Sequence, residues 1–86
     1  MSTFLLEQVL HDLSTRREAR KAFAHDPVAF LAGYPLEPAQ ADLIARFDVA
    51  ALQKHGVSPL LTYGFWMMNE PGRSRAQYLA RLRQAS

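Results

Sequence analysis

Apolar positions recur at helical spacing along most of the chain. Leu5, Val9 and Leu13 fall at i, i+4, and Leu6 and Leu10 widen the stripe, which predicts a first helix over residues 4–13 capped by Ser2 or Thr3. Glu7 and Asp12 fall off that stripe. Ser14 or Thr15, with Glu18 close behind, reads as the start of a second helix to about residue 24. Its inward side is thin: Ala19, Ala22 and Phe23. No alternating run of β-branched residues exceeds four positions, so strands are not expected. The chain reads as an all-α domain of six to seven short helices, packed as a compact orthogonal bundle and spanning residues 1–86 as one unit.

Punctuation sharpens between residues 22 and 56. Asp26-Pro27 is a helix start, because the carboxylate accepts from first-turn donors and proline at the first helical position loses no needed hydrogen bond. Gly33 reads as a left-handed stop, and Tyr34-Pro35 as an extended exit. The helix between them is about two turns long, an elbow carrying Val28, Phe30 and Leu31, with Tyr34 just beyond. Leu36-Glu37-Pro38 opens a further helix to about residue 46, with Leu43, Ile44 and Phe47 on its buried edge. Asp48 caps the next, over residues 49–55, which Gly56 closes. Ser58-Pro59 repeats the opening device of Asp26-Pro27.

The helix that follows departs from the amphipathic norm. Residues 60–68, Leu-Leu-Thr-Tyr-Gly-Phe-Trp-Met-Met, show almost no polar face. Such a helix is either the core of the domain or a core helix that also meets a partner, and periodicity leaves both open. Gly64 costs roughly 1 kcal/mol against alanine in a helix, which points to a close approach at that position. Asn69-Glu70-Pro71-Gly72 is a turn by composition. A last helix over residues 74–83 places Tyr78, Leu79 and Leu82 on one side and leaves Arg75, Arg81 and Arg83 for solvent.

Composition narrows the function classes more than it selects one. The 86 residues include no cysteine, which excludes disulfides, thiolate nucleophiles and thiolate metal sites. No apolar run approaches the roughly 20 residues that span a bilayer, and the first residues lack a secretory pattern, so a cytoplasmic location is expected. Ten basic and eight acidic side chains give a net charge of +2. The basic residues cluster at Arg16, Arg17, Arg20 and Lys21 and again at Arg73, Arg75, Arg81 and Arg83. Without a groove-reading motif these clusters read as solvated helix faces rather than a nucleic-acid footprint.

No catalytic constellation accompanies this pattern. His11, His25 and His55 stand far apart, with no H-x₃-H or HExxH spacing, and no glycine-rich loop follows a strand. His25-Asp26 is a poor dyad, since adjacent residues rarely orient one another and Asp26 already serves as a cap. His55 beside Gly56 sits at a helix end. The serines fall at helix ends or termini, where capping accounts for them. Neither a catalytic, a cofactor nor a metal site is expected in this chain.

The run Ala22-Phe23, Asp26-Pro27, Phe30-Leu31, Tyr34, Leu36, Asp48, Leu52 and Gly56 resembles the small (α) subunit of protocatechuate 4,5-dioxygenase, the LigA-type component of type II extradiol ring-opening dioxygenases. The likeness covers roughly residues 15–68; the chain departs from it after Gly56 and in its arginine-rich C-terminal helix. It implies a helical, metal-free subunit lying as a lid over a larger subunit that binds Fe(II) and cleaves a catecholic ring beside its hydroxyls with O₂. Under that reading Tyr63, Phe65, Trp66, Met67 and Met68 are the candidate partner or lid contacts. Two other readings stand beside it: a stand-alone helical module that binds a protein or peptide, and a small nucleic-acid-binding protein.

Overall fold

A computed structural model describes residues 3–70 and 74–83, and every element among them is helical. In chain order these are α1 (Thr3–Thr15), α2 (Arg17–His25), α3 (Pro27–Ala32), α4 (Pro38–Ala45), α5 (Val49–Lys54), α6 (Pro59–Asn69) and α7 (Arg75–Arg83). The molecule measures 30 × 28 × 18 Å. Its short dimension holds about two layers of helix at the usual 8–10 Å interaxial separation, so most helices keep one outward face.

The core runs through the middle of that slab. Leu6, Val9, Leu10 and Leu13 of α1 meet Phe65 and Trp66 of α6, with Phe23, Ile44, Val49, Leu52 and Val57 closing round them. Helices α1 and α6 are the principal packed pair, and Gly64 explains how close they come: a Cβ there would lie 3.2 Å from Ser14 Oγ. Asn69 fastens the far end, donating from Nδ2 to the Leu13 carbonyl at 3.1 Å and to the Phe65 carbonyl at 2.9 Å. The apolar helix of the sequence is therefore central, for steric reasons visible at its one glycine.

Caps at Asp26, Asp48 and Ser58 form as their residue types require. Asp26 Oδ1 accepts from Ala29 N, Asp48 Oδ1 from Ala51 N, and Ser58 Oγ from Leu60 N. The expected cap at Ser14 or Thr15 does not form. Their hydroxyls turn back to the Leu10 and His11 carbonyls, satisfying the C-terminal turn of α1, and the extended residue Arg16 breaks the chain instead. Nor is Gly33 left-handed: its φ is −74°, and α3 ends through short bonds from Gly33 and Tyr34 to Phe30 and Leu31.

The left-handed stops lie at Gly56, with φ of 96°, and at Phe47, with φ of 55°. Both build the same helix ending. Asp48 N donates to Leu43 O and Phe47 N to Ile44 O after α4; Val57 N donates to Leu52 O and Gly56 N to Gln53 O after α5. This paired pattern is the Schellman motif, and glycine is its usual residue. Phenylalanine takes the strain at residue 47 because its ring is held on every side. It stacks on Phe65 at 4.8 Å and meets Phe23 and Trp66 edge-on at 5.8 and 6.1 Å.

Other inward and outward assignments need correction. Ala22 is exposed, so α2 buries only Ala19 and Phe23. Asp12, off the apolar stripe of α1, is nonetheless buried, and Tyr34 Oη donates to its Oδ2 at 2.6 Å. Arg81, expected in solvent, donates from Nε to the Phe47 carbonyl and from Nη2 to the Arg46 carbonyl, pinning α7 onto the end of α4. The turn expected at Pro71-Gly72 lies outside the described residues.

Two measurements check this frame. Replacing Phe47 by alanine removes its ring but keeps a Cβ in a left-handed conformation, which costs roughly 1–2 kcal/mol per L-residue. Phe47→Gly should therefore be less destabilising than Phe47→Ala, by about 1 kcal/mol in chemical denaturation, the reverse of the order within a helix. The second concerns Tyr34, whose hydroxyl is pushed up to about 12 by burial, then by its hydrogen bond to Asp12 and the Asp12 charge, with Arg16 opposing. The folded state holds this proton more tightly than the unfolded chain, whose tyrosines titrate near 10. Its contribution is whole below about pH 10 and is lost as pH rises through about 12. Tyr34→Phe should cost roughly 1.5–3 kcal/mol at neutral pH, and the gap from wild type should shrink over that alkaline window.

Candidate functional site

Helix α6 carries the five candidate contact residues, and its packing sorts them. Thr62, Phe65 and Trp66 form its buried face; Phe65 is fully buried and Trp66 is 5% exposed. Tyr63 and Met67 are half-buried at the flank of the helix, and Met68 is 42% exposed. Only Tyr63, Met67 and Met68 present appreciable surface. Phe65 and Trp66 hold the position of that surface from beneath, through contacts with Phe47 and, for Trp66, with the Tyr78 ring at 5.9 Å. The Trp66 indole N–H is buried without a hydrogen-bond partner.

A polar knot fixes α6 against its neighbours. Thr62 Oγ1 lies 2.9 Å from Tyr78 Oη, and Gln53 Nε2 donates to both, at 2.9 and 3.2 Å. Thr62 also donates to the Pro59 carbonyl. Three helices thus meet at one buried hydroxyl, and the network holds the outer edges of α6 and α7 at a set separation.

Two apolar grooves open on the surface beside these elements. One, of about 540 Å³, lies between α6 and α7 and is lined by Leu60, Tyr63, Tyr78, Leu79, Leu82 and Arg75, among others. Leu60 is 81% exposed there, and Leu79, expected to face inward, is 42% exposed on its rim. The other, of about 420 Å³, runs between α3 and α4 past Val28, Leu31, Tyr34, Leu36 and Ala45, with Val28 75% exposed. The sequence pattern missed Leu60 and Leu79 as surface residues. Leu60 directly after Pro59 was one signal, since first-turn residues have few helical neighbours to cover them.

The titratable groups do not converge. His11 is exposed with Nδ1 3.9 Å from Asp12 Oδ1, while His25 ends α2 and His55 ends α5, both at the surface. Among the described residues no three His, Cys, Asp or Glu side chains gather where they could hold a metal ion. No described helix is long and apolar enough to cross a membrane. The two basic clusters are partly committed to backbone: Arg20 donates to the Ser14 carbonyl and Arg81 to the carbonyls after α4. Arg73 lies outside the described residues.

The described residues thus form a small all-helical domain with apolar grooves open on its surface. The chain belongs to the family described as Aromatic-ring-opening dioxygenase LigAB, LigA subunit, whose model matches residues 6–83. That span takes in α7 as well, so the arginine-rich C-terminal helix lies within the family pattern rather than outside it. Comparison with curated proteins and with solved structures gives no match.

Buried and exposed members of α6 should respond differently to truncation. Trp66→Ala should cost roughly 3–5 kcal/mol, because the ring fills the core between Phe47 and Tyr78. Met68→Ala should shift stability by less than about 1 kcal/mol, as surface substitutions do. Thermal denaturation of the isolated chain reads both.

Proposed function

We propose that this chain is the non-catalytic small subunit of an extradiol aromatic-ring-opening dioxygenase, packing as a lid on a large subunit that carries Fe(II) and performs the cleavage. The family match over residues 6–83 carries the reading. Two observations support it: the described residues gather no metal-ligand cluster, and apolar grooves remain open on a domain too thin to cover every helix face. No chemical step is assigned to the residues of this chain. What the chain contributes is shape and desolvation. An apolar surface over the mouth of a partner's active site excludes water and restricts how an aromatic substrate can lie, which acts on KM and turnover while leaving the metal untouched. Of the five candidate contacts, Met68, Met67 and Tyr63 reach the surface for that task; methionine adapts readily to an aromatic neighbour.

A cytoplasmic location accords with this function. A stand-alone interaction module would also carry open grooves, and assembly with a dioxygenase subunit separates the two. Ring opening should be assayed for the purified chain, the large subunit and the reconstituted pair. The chain alone should open no catechol ring, and the pair should show a lower KM or a higher turnover than the large subunit alone, with unchanged iron content. Ring cleavage by the isolated chain that is lost on substitution of His11, His25 or His55 would overturn the assignment. Failure of the two subunits to associate would overturn it equally.

A further inference from the structure

Helix α7 has a narrow hold on the rest of the domain. It buries one side chain, Tyr78, while Arg75, Ala76, Gln77, Leu79, Ala80 and Arg83 are exposed. Its hold is concentrated at Tyr78 and Arg81, with Leu82 half-buried beside them. Tyr78 Oη lies 2.9 Å from Thr62 Oγ1 and accepts from Gln53 Nε2 at 3.2 Å. Arg81 donates to the Phe47 and Arg46 carbonyls at 3.3 and 3.2 Å, the long end of the range for such bonds. Helix α3 also buries a single side chain, but the Phe30 ring meets Phe23 and Tyr34 bonds Asp12 just beyond, which ties it to the core at two further points.

What α7 covers works against its attachment. The Trp66 ring meets Tyr78 edge-on at 5.9 Å, and Gln77, Ala80 and Arg81 share with Trp66 the lining of a hollow of about 370 Å³. Under this cover the indole N–H is buried with no hydrogen-bond partner. A donor in that state has given up its bond to water without replacing it, and lifting the cover restores that bond. A helix this short does not persist alone in water, where even roughly 12–15 residues are marginal. Detached from the domain, α7 unravels, so opening and melting are one event.

We propose that α7 is a strap that releases as a unit ahead of global unfolding, with Tyr78 and Arg81 as its latch and the Trp66 flank of α6 as the surface it uncovers. The open form keeps its core, because Leu6, Val9, Leu10 and Leu13 of α1 stay packed with Phe65 of α6. Release turns Trp66, buried in the closed form, into a surface residue beside Met67 and Met68. The strap needs neither partner nor metal, so it stands apart from the subunit assignment.

The test is hydrogen exchange of the intact chain, followed residue by residue at rising denaturant below the unfolding transition. Amides of α7 should be about a hundredfold less protected than those of α1, and their exchange should vary little with denaturant, because a local opening exposes little surface. The Trp66 indole N–H should exchange with the α7 amides in both respects. Val9→Ala weakens the core that closed and open forms share, so it should speed exchange in α1 and leave α7 within about twofold of wild type. Arg81→Met cuts part of the latch and should speed the α7 amides about tenfold, as loss of one or two net hydrogen bonds does. Equal protection of α7 and α1, or equal acceleration of both by Val9→Ala, would make the chain one cooperative unit and overturn the proposal. An α7 without any protection would overturn it as well, since nothing would then be latched. So would α7 exchange that Arg81→Met leaves unchanged, or an indole N–H that follows α1 instead of α7.

Discussion

One residue in an unfavourable conformation sits where the helices converge. Phe47 ends α4 with a positive φ, and in doing so turns its ring onto Phe65 of α6 and edge-on to Phe23 of α2 and Trp66. A glycine there would end the helix with less strain but would leave no ring to close the core. Aromatic packing of this kind contributes roughly 0.5–1.5 kcal/mol per pair beyond the area it buries, enough to offset the left-handed backbone. The same turn exposes the carbonyls of Arg46 and Phe47, and Arg81 of α7 covers them. Helix end, aromatic core and attachment of the last helix are three consequences of one backbone geometry.

Because α1 and α6 take the centre, the shorter helices are spread around them in a slab 18 Å thick. A domain of this size buries a modest fraction of its surface, and a thin one leaves flanks of its central helix uncovered. Helix α6 shows the result. Its inner face is as buried as any core residue, while Leu60 and Met68 remain in water on the same eleven-residue element. The one helix is thus core on one side and apolar surface on the other.

The chain belongs to the LigA subunit family of aromatic-ring-opening dioxygenases over residues 6–83, a span that takes in both apolar grooves. The hydrogen bonds at Thr62 and Tyr78 preform the α6–α7 groove, and the pair of Asp12 with Tyr34 ties α1 to the segment after α3. Walls held in this way lose little conformational freedom when a groove is filled.

Local chemistry was sufficient for the all-helical class, for the starts at Asp26-Pro27, Asp48 and Ser58-Pro59, and for the stop at Gly56, because caps and left-handed glycines act within a few residues of themselves. It also marked α6 as central and Gly64 as a point of close approach, and the spacing from Ala22 to Gly56 carried the family likeness. Other features turn on distant partners. Asp12 is buried where Tyr34, 22 residues away, hydrogen-bonds it; Arg81 is half-buried because α4 ends beneath it. Ser14 and Thr15 had two backbone partners within reach, and the course of α1 decided between them. Phe47 adopts a glycine-like conformation only because three rings from other helices hold it. Which face of α6 stays in water was decided by tertiary packing: Thr62, Phe65 and Trp66 are drawn against Gln53, Phe47 and Tyr78 from other segments, and Leu60 and Met68 are left exposed.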